Sequence, residues 1–294
     1  MRQYKGAVFF VDMLGIGALT RKKVELTSQD FDAWGITRRS DFNEHVLCAK
    51  LLMKFRSCLA KIKKKHRAVK IAQLSDCAFI WSDDHLAVAM AAQEMMMTSV
   101  GAGLLCRGGI AYGDIVEPNR VAESLGQFVL GEAATKAVEF EKLGKGCRVF
   151  TDEAFGLHMS SGTRASNVPY EAVAGLRNPL TGEVIHEFCW YFQHSPGTNP
   201  LTKKVRHQNI LKLLSMLMGS PLFRWNCSSL PGMIQMACSV GSLSSATQVL
   251  FPNPHTVYTP DMVMHGFADR SDALHSRLYK KWCAQAAPYF IKKK

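Results

Sequence analysis

The stretch Lys5-Gly6-Ala7-Val8-Phe9-Phe10-Val11-Asp12-Met13-Leu14-Gly15-Ile16-Gly17 reads as a buried strand that delivers a carboxylate to its end. Lys5–Val11 is a short apolar run of Ala, Val and Phe, and the two glycines behind Asp12 turn the chain. By itself Asp12 would serve equally as the cap of a following helix. What lies downstream decides between a cap and a functional carboxylate.

From Ser40, read as an N-cap, apolar residues recur at Phe42, Val46, Ala49, Leu52, Phe55, Leu59 and Ile62. That three-to-four spacing predicts a long amphipathic helix to Lys65. Val69–Leu74 and Cys77–Trp81 are separated only by Ser75-Asp76, which predicts a tight hairpin with a second carboxylate at its tip. Asp83 or Asp84 caps a helix to about Val100, and Leu104–Val116 follows as a strand loosened by Gly108 and Gly109. A short strand at Gln127–Leu130 leads through Gly131 into a helix to about Leu143, and Cys147–Phe150 and Val184–Phe192 complete a strand-rich end.

This order predicts an α/β (α+β) fold of the ferredoxin-like split βαβ kind, a mixed sheet with helices on one face. His194–Pro200 is a turn-rich break, so the expected organisation is a domain at 1–195 and a mostly helical C-terminal extension at 196–294. Within the extension, Leu201–Met218 and Asp272–Ala286 read as helices on either side of the turn-rich Pro252–Pro260.

Composition narrows the function classes. The 294 residues are 47% hydrophobic and 20% charged, enough for a full core. Thirty-six Lys and Arg against 24 Asp and Glu give +12, which suits polyanions: triphosphates, nucleic acid or an acidic membrane surface. Basic residues are spread over several segments rather than interleaved with aromatics in one stripe, which disfavours a nucleic-acid binder. Arg21-Lys22-Lys23 reads as a solvated loop, and Lys61–His66 complements the dipole of the long helix at its C-terminus.

The nine scattered cysteines form no CxxC pair and read as reduced thiols. Asp12 interrupts Ala7–Leu19 as a signal sequence, and no apolar run approaches the roughly 20 residues of a membrane span. The expectation is a soluble cytoplasmic protein that uses neither membrane nor nucleic acid. No histidine has ligand spacing, and no Walker, Rossmann or GxSxG pattern occurs.

Four segments together resemble the class III nucleotidyl cyclases. Phe9-Phe10-Val11-Asp12-Met13-Leu14-Gly15 is similar to their metal-binding strand, and Gln73-Leu74-Ser75-Asp76 to the hairpin with the second metal aspartate. Arg107-Gly108-Gly109-Ile110-Ala111-Tyr112-Gly113 is similar to their Arg-x-Gly-Ile-x-x-Gly strand. Phe128-Val129-Leu130-Gly131-Glu132-Ala133-Ala134-Thr135-Lys136-Ala137 is similar to the segment opening the second half-site. The likeness spans about residues 5–155.

The resemblance implies two divalent cations, Mn2+ or Mg2+, on Asp12, Met13 and Asp76. They serve the attack of a 3′ hydroxyl on the α-phosphorus while pyrophosphate leaves. It also implies a head-to-tail homodimer, in which the aspartates and the later helix of each site come from different chains. The glycine-bearing backbone at Leu14, Gly15 and Ile16 is suited to approach phosphate oxygens.

The departures concern the base and the transition state. Where purine cyclases of this family carry a Lys and an Asp that read adenine, this chain has Ala72 and Phe128. It therefore looks more like the pyrimidine cyclases of bacterial Pycsar anti-phage systems, which act on CTP or UTP to make a second messenger. The family's Asn and transition-state Arg correspond to Thr135 and Glu139. Thr135 keeps a hydrogen-bonding group, and Arg107, Lys136 and Lys145 are the candidates for the missing cation. A catalytically silent cyclase-homology module that binds nucleotide, and a purine cyclase with an unusual pocket, are the alternatives.

Overall fold

Twelve residues, Arg2–Met13, form the strand β1. The computed structural model describes residues 1–120, 126–160, 173–177, 182–192 and 203–250. Side chains alternate along β1, so that Ala7, Phe9, Val11 and Met13 enter one hydrophobic cluster while Val8 and Phe10 face another.

β1 pairs antiparallel with β3 (Cys77–Ser82) on one side and β4 (Cys106–Glu117) on the other. With β2 (Lys70–Leu74), β5 (Val149–Phe150), β6 (Val173–Arg177) and β7 (Val184–Phe188) it makes a seven-stranded sheet in the order β2-β3-β1-β4-β5-β7-β6. The β4–β5 pair is parallel and the others antiparallel. The expected mixed α/β sheet and the β2–β3 hairpin with Ser75-Asp76 at its turn are therefore present.

Eight α-helices are described: α1 (Ile16–Thr20), α2 (Ser28–Ala33), α3 (Glu44–Lys65), α4 (His85–Gly101), α5 (Glu132–Glu141), α6 (Glu153–Ser160), α7 (Lys203–Gly219) and α8 (Leu230–Leu250). Asn43, not Ser40, caps α3, its side chain accepting from the Val46 amide at 2.9 Å. Ser40 instead lies in a 3-10 turn, Arg39–Asp41. Asp84 caps α4 through the Leu86 and Ala87 amides at 3.0 and 3.1 Å.

Helices on one face was the expectation, and it holds for α3 and α4, which pack with Phe9 and Val11. It needs correction for α5. Ala133, Ala134 and Ala137 pack against Val8, Trp81, Ala111 and Ile115 on the opposite face. A Cβ at Gly109 would lie 2.0 Å from the Ala137 carbonyl oxygen, so glycine at this position is what lets α5 lie directly on the sheet. The expected strand Gln127–Leu130 is reduced to a bridge between Leu130 and Val116.

The C-terminal part is helical from 203 to 250 apart from a 3-10 segment, Pro221–Ser228. Ile210, Leu213, Phe223, Trp225, Met236 and Val240 belong to the same buried cluster as β1 and α3. Polar contacts fix α8 to the sheet side. The Gly146 amide donates to Gln235 Oε1 at 2.6 Å, the Cys147 amide to Ser239 Oγ at 2.7 Å, and Ser242 Oγ to Glu187 Oε2 at 2.9 Å. Glu187 is paired with the buried Arg148, and breaking such a pair typically costs about 3–5 kcal/mol. Among the described residues no helix is long and apolar enough to cross a membrane. The expected break at His194–Pro200, the stretch Pro252–Pro260 and the helix Asp272–Ala286 lie outside the described residues.

Candidate active site

Asp12 is the penultimate residue of β1, cross-strand from Cys77 on β3 and from Arg107 on β4. Cross-strand partners share a face, and the alternation along β1 puts Asp12 on the face that α5 covers. The next residue, Met13, donates its amide to the Asp76 carbonyl at 3.0 Å. Asp76 follows Ser75, which holds φ +58°, a left-handed conformation that the turn requires. The Ser75 carbonyl accepts from Gln73 Nε2 at 2.7 Å.

The electrostatics of this corner are anionic around one guanidinium. Burial first, then the Glu141 and Asp76 carboxylates, push the Asp12 carboxyl up to about 7, against the lowering effect of Arg107. Glu141, the last residue of α5, accepts from Arg107 Nε at 2.6 Å, and both are buried. Arg107 Nη1 is buried without a hydrogen-bond partner.

A carboxylate raised in this way is one that a nearby cation would restore to the charged form. Among the described residues no group of three or more His, Cys, Asp or Glu is arranged to hold a metal. Two carboxylates at one strand end nevertheless suit Mg2+ or Mn2+, which take one or two protein carboxylates and complete their shell with water and substrate phosphates. Asp12 and Asp76 are the residues that could hold such an ion. Only the backbone of Met13 is at this corner, since its side chain is buried in the core at 3% exposure.

In the turn behind Asp12, the Leu14 amide donates to the Leu105 carbonyl at 2.8 Å. It is therefore not available for phosphate, and the expected cradle narrows to Gly15–Gly17. Gly15 has φ +94° and caps α1, a conformation that favours glycine. The Leu14 and Ile16 side chains are buried.

The structure does not gather the remaining candidates around Asp12 within one chain. Thr135 is exposed, and its hydroxyl donates to the Gly131 carbonyl at 3.3 Å. Glu132 lies over Gly113 and Ala137 over Gly109, and Thr135 is on the exposed side of α5 between them. Along α5, Thr135 is six residues from Glu141, the partner of Arg107, or about 9 Å of helix rise. Lys136 is paired with Glu132 at 2.7 Å, and Lys145 and Glu139 are exposed.

Ala72 is on β2, opposite Phe79. Phe128, 44% exposed, precedes the bridge to β4. Three strand spacings separate β2 from β4, about 14 Å.

Sequence reasoning had no signal for Glu141, which lies outside the recognised segments, or for Trp225 and Asn226. The last two come from the C-terminal part: a Cβ at Gly15 would lie 2.7 Å from Trp225 Cη2 and 3.7 Å from Asn226 Nδ2.

No family model and no curated protein matches the chain. Among solved structures it is similar to the adenylyl cyclase CyaB from P. aeruginosa, at 15% identity over 68% of this chain and 100% of that one, with a TM-score of 0.42. It is similar to a bacterial light-regulated adenylyl cyclase at 13% identity over 72% and 100%, with a TM-score of 0.41. It is also similar to the guanylate cyclase domain of RhGC from Catenaria anguillulae in complex with GTP, at 13% identity over 64% and 97%, with a TM-score of 0.40.

Proposed function

We propose that the chain is a nucleotide cyclase of the class III kind. In this reading it converts CTP or UTP into the 3′,5′-cyclic monophosphate and pyrophosphate, as a head-to-tail homodimer. The observation that carries the proposal is the convergence of Asp12 and Asp76 at one sheet end, with the Asp12 carboxyl raised to about 7 by burial and by its anionic neighbours.

In the reaction the ribose 3′ oxygen forms a bond to the α-phosphorus, the bond from that phosphorus to the bridging oxygen breaks to release pyrophosphate, and the 3′ hydroxyl proton passes to solvent. Divalent ions, Mg2+ or Mn2+, would lower the pKa of the attacking hydroxyl and neutralise charge on the leaving group. Asp12 and Asp76 are the residues that would hold them. The Gly15–Gly17 backbone is the part of the turn that would meet the phosphates, with the Trp225 ring packed against Gly15. Arg107, held by Glu141 through Nε, keeps Nη1 uncommitted for an anionic oxygen.

Two chains supply what one does not. Thr135 is exposed and lies about 9 Å along α5 from Glu141, which holds Arg107 at the Asp12 corner; in the head-to-tail reading Thr135 and Lys136 serve the partner's aspartates. In this reading Ala72 on β2 and Phe128 beside β4, strands about 14 Å apart, stand where the hydrogen-bonding pair that reads adenine would be. A signalling role in bacterial antiviral defence rests on the resemblance of FFVDMLG and RGGIAYG alone.

Incubation of the protein with each ribonucleoside triphosphate and Mn2+, with products identified by mass, tests the reading; a cyclic pyrimidine nucleotide is expected. The ion pairs Arg107–Glu141 and Lys136–Glu132 favour a second reading, a silent nucleotide-binding module, because they occupy two of the cations offered to the transition state. Nucleotide binding with no cyclic product from any triphosphate would establish that second reading.

A further inference from the structure

The 3-10 segment Pro221–Ser228 belongs to the C-terminal part, yet it ends against the turn that follows Asp12. The Trp225 ring fills the space where a side chain at Gly15 would be, 2.7 and 2.8 Å from an added Cβ. Three further contacts seat the segment: Leu222 packs over Gly103, the Leu222 carbonyl accepts from Trp34 Nε1 at 3.3 Å, and Arg224 faces Asp30 at 3.9 Å. Asp30 is the residue that closes the capping box of α2 with Thr27. The segment is thereby clamped between α2 and the α4–β4 connection, and its tip is presented to Gly15.

Two buried polar atoms at this tip have no hydrogen-bond partner, Trp225 Nε1 and Asn226 Oδ1, in side chains only 3% exposed. Unpaired polar atoms in a core are costly. A purely structural plug would be served as well by Phe and Leu. An indole and a carboxamide set against the turn behind a metal-type carboxylate suit a role in holding that turn when phosphate is present.

We propose that Trp225 and Asn226 are positioning residues for the Gly15 turn, and through it for the triphosphate beside Asp12. The proposal rests on the cyclase reading and extends it: the C-terminal part completes the site instead of being appended to it.

The test compares full-length Trp225→Ala, Trp225→Phe and Asn226→Leu with Leu243→Ala, a buried α8 position remote from the turn that controls for general loss of packing. For Trp225→Ala and Asn226→Leu, kcat/KM with the preferred triphosphate and Mn2+ falls on the order of 10–100-fold, the scale of a small misplacement of bound substrate. Trp225→Phe recovers most of it, and Leu243→Ala lowers Tm without changing KM. Equal kinetic losses in Leu243→Ala at matched Tm loss, or wild-type kinetics in Trp225→Ala, would overturn the proposal.

A second readout does not need turnover. Trypsin cleavage at the exposed Arg21-Lys22-Lys23, scored relative to cleavage at Lys64-Lys65, reports whether the turn and α1 are held. The ratio rises in Trp225→Ala and stays at the wild-type value in Leu243→Ala. If no triphosphate is cyclised by the wild type, the cyclase reading fails, and this ratio decides the positioning claim by itself: an unchanged ratio overturns it, and a raised ratio supports it.

Discussion

The Met13 amide donates to the Asp76 carbonyl at 3.0 Å, so the two candidate metal aspartates hang from one hydrogen bond between the end of β1 and the β2–β3 turn. Asp12 and Asp76 are 64 positions apart in sequence, and the β1–β3 ladder, which pairs Asp12 with Cys77, removes that separation. Their relative position is set by backbone, not by long side chains, and it belongs to the rigid part of the sheet.

Asp12→Ala and Asp76→Ala follow directly. Each removes one of two anionic groups able to hold a divalent ion, and product formation falls by at least about 10²–10³-fold, the scale for loss of one electrostatic catalytic group. Far-ultraviolet circular dichroism should be unchanged. Added Mn2+ raises the Tm of the wild type, because it binds the folded state, and has no such effect on Asp12→Ala. Turnover close to wild type in either variant would remove the two-aspartate site.

A pH dependence is expected at the other end of the sheet. Glu117 is buried, which by itself raises its carboxyl pKa. Hydrogen bonds from Lys70 Nζ at 2.5 Å and Trp81 Nε1 at 2.7 Å outweigh burial and hold it below the ordinary value of 4.5. A depressed carboxylate contributes its stability above the unfolded pKa and loses it as pH falls through the folded one. Glu117→Gln therefore lowers Tm at pH 7 and flattens the decline of Tm below about pH 4.5. The same acid decline in wild type and variant would show that this network does not set the acid limit.

β1, the β2–β3 hairpin and β4 were legible because their signals are local, and so was the place of Asp12 and Asp76 at strand ends, whereas β6 went unread and Gln127–Leu130 is a bridge and not a strand. Val8, Phe9 and Phe10 announce β1, and Ser75-Asp76 announces a two-residue turn. The cap of α3 moved from Ser40 to Asn43 because several polar residues precede that helix and only tertiary packing chooses the one that starts it.

Long-range facts were not legible. Glu141 reaches Arg107 only because the Gly109 backbone admits α5 to the sheet, and no periodicity reports which face a helix will take. Trp225 lies 210 residues from Gly15 in sequence, so its place at the candidate site follows from the packing of Pro221–Ser228 between α2 and the α4–β4 connection. The helix α8, rich in Ser, Gly, Ala and Met, lacks the amphipathic spacing that made α3 readable.

Base preference is the third expectation. Ala72 and Phe128 present no donor or acceptor from their side chains, so neither rewards the adenine edge. CTP or UTP should give cyclic product at higher kcat/KM than ATP and GTP, read as product masses from an equimolar mixture. Ala72→Lys should narrow the gap toward ATP. Cyclic AMP as the main product of the wild type would show that the base is read by other groups.

The last expectation concerns assembly. Within one chain Thr135 is exposed, about 9 Å along α5 from Glu141, and its hydroxyl is turned back to its own Gly131 carbonyl. In a head-to-tail pair the Thr135 of each chain meets the Asp12 corner of the other, and a chain lacking one half of the site still offers the other half. Asp12→Ala and Thr135→Ala proteins, each inactive alone, should therefore recover activity when mixed. If the chains exchange at random, half of all dimers are mixed and each holds one intact site of two, so recovery approaches about a quarter of the wild-type rate per chain. Exchange is followed independently by energy transfer between differently labelled proteins, and the mixture of either variant with itself is the control. Exchange without recovery, between folded variants that are each dead, would mean that one protomer holds a complete site and that the separation between Thr135 and Asp12 is closed by some movement within the chain.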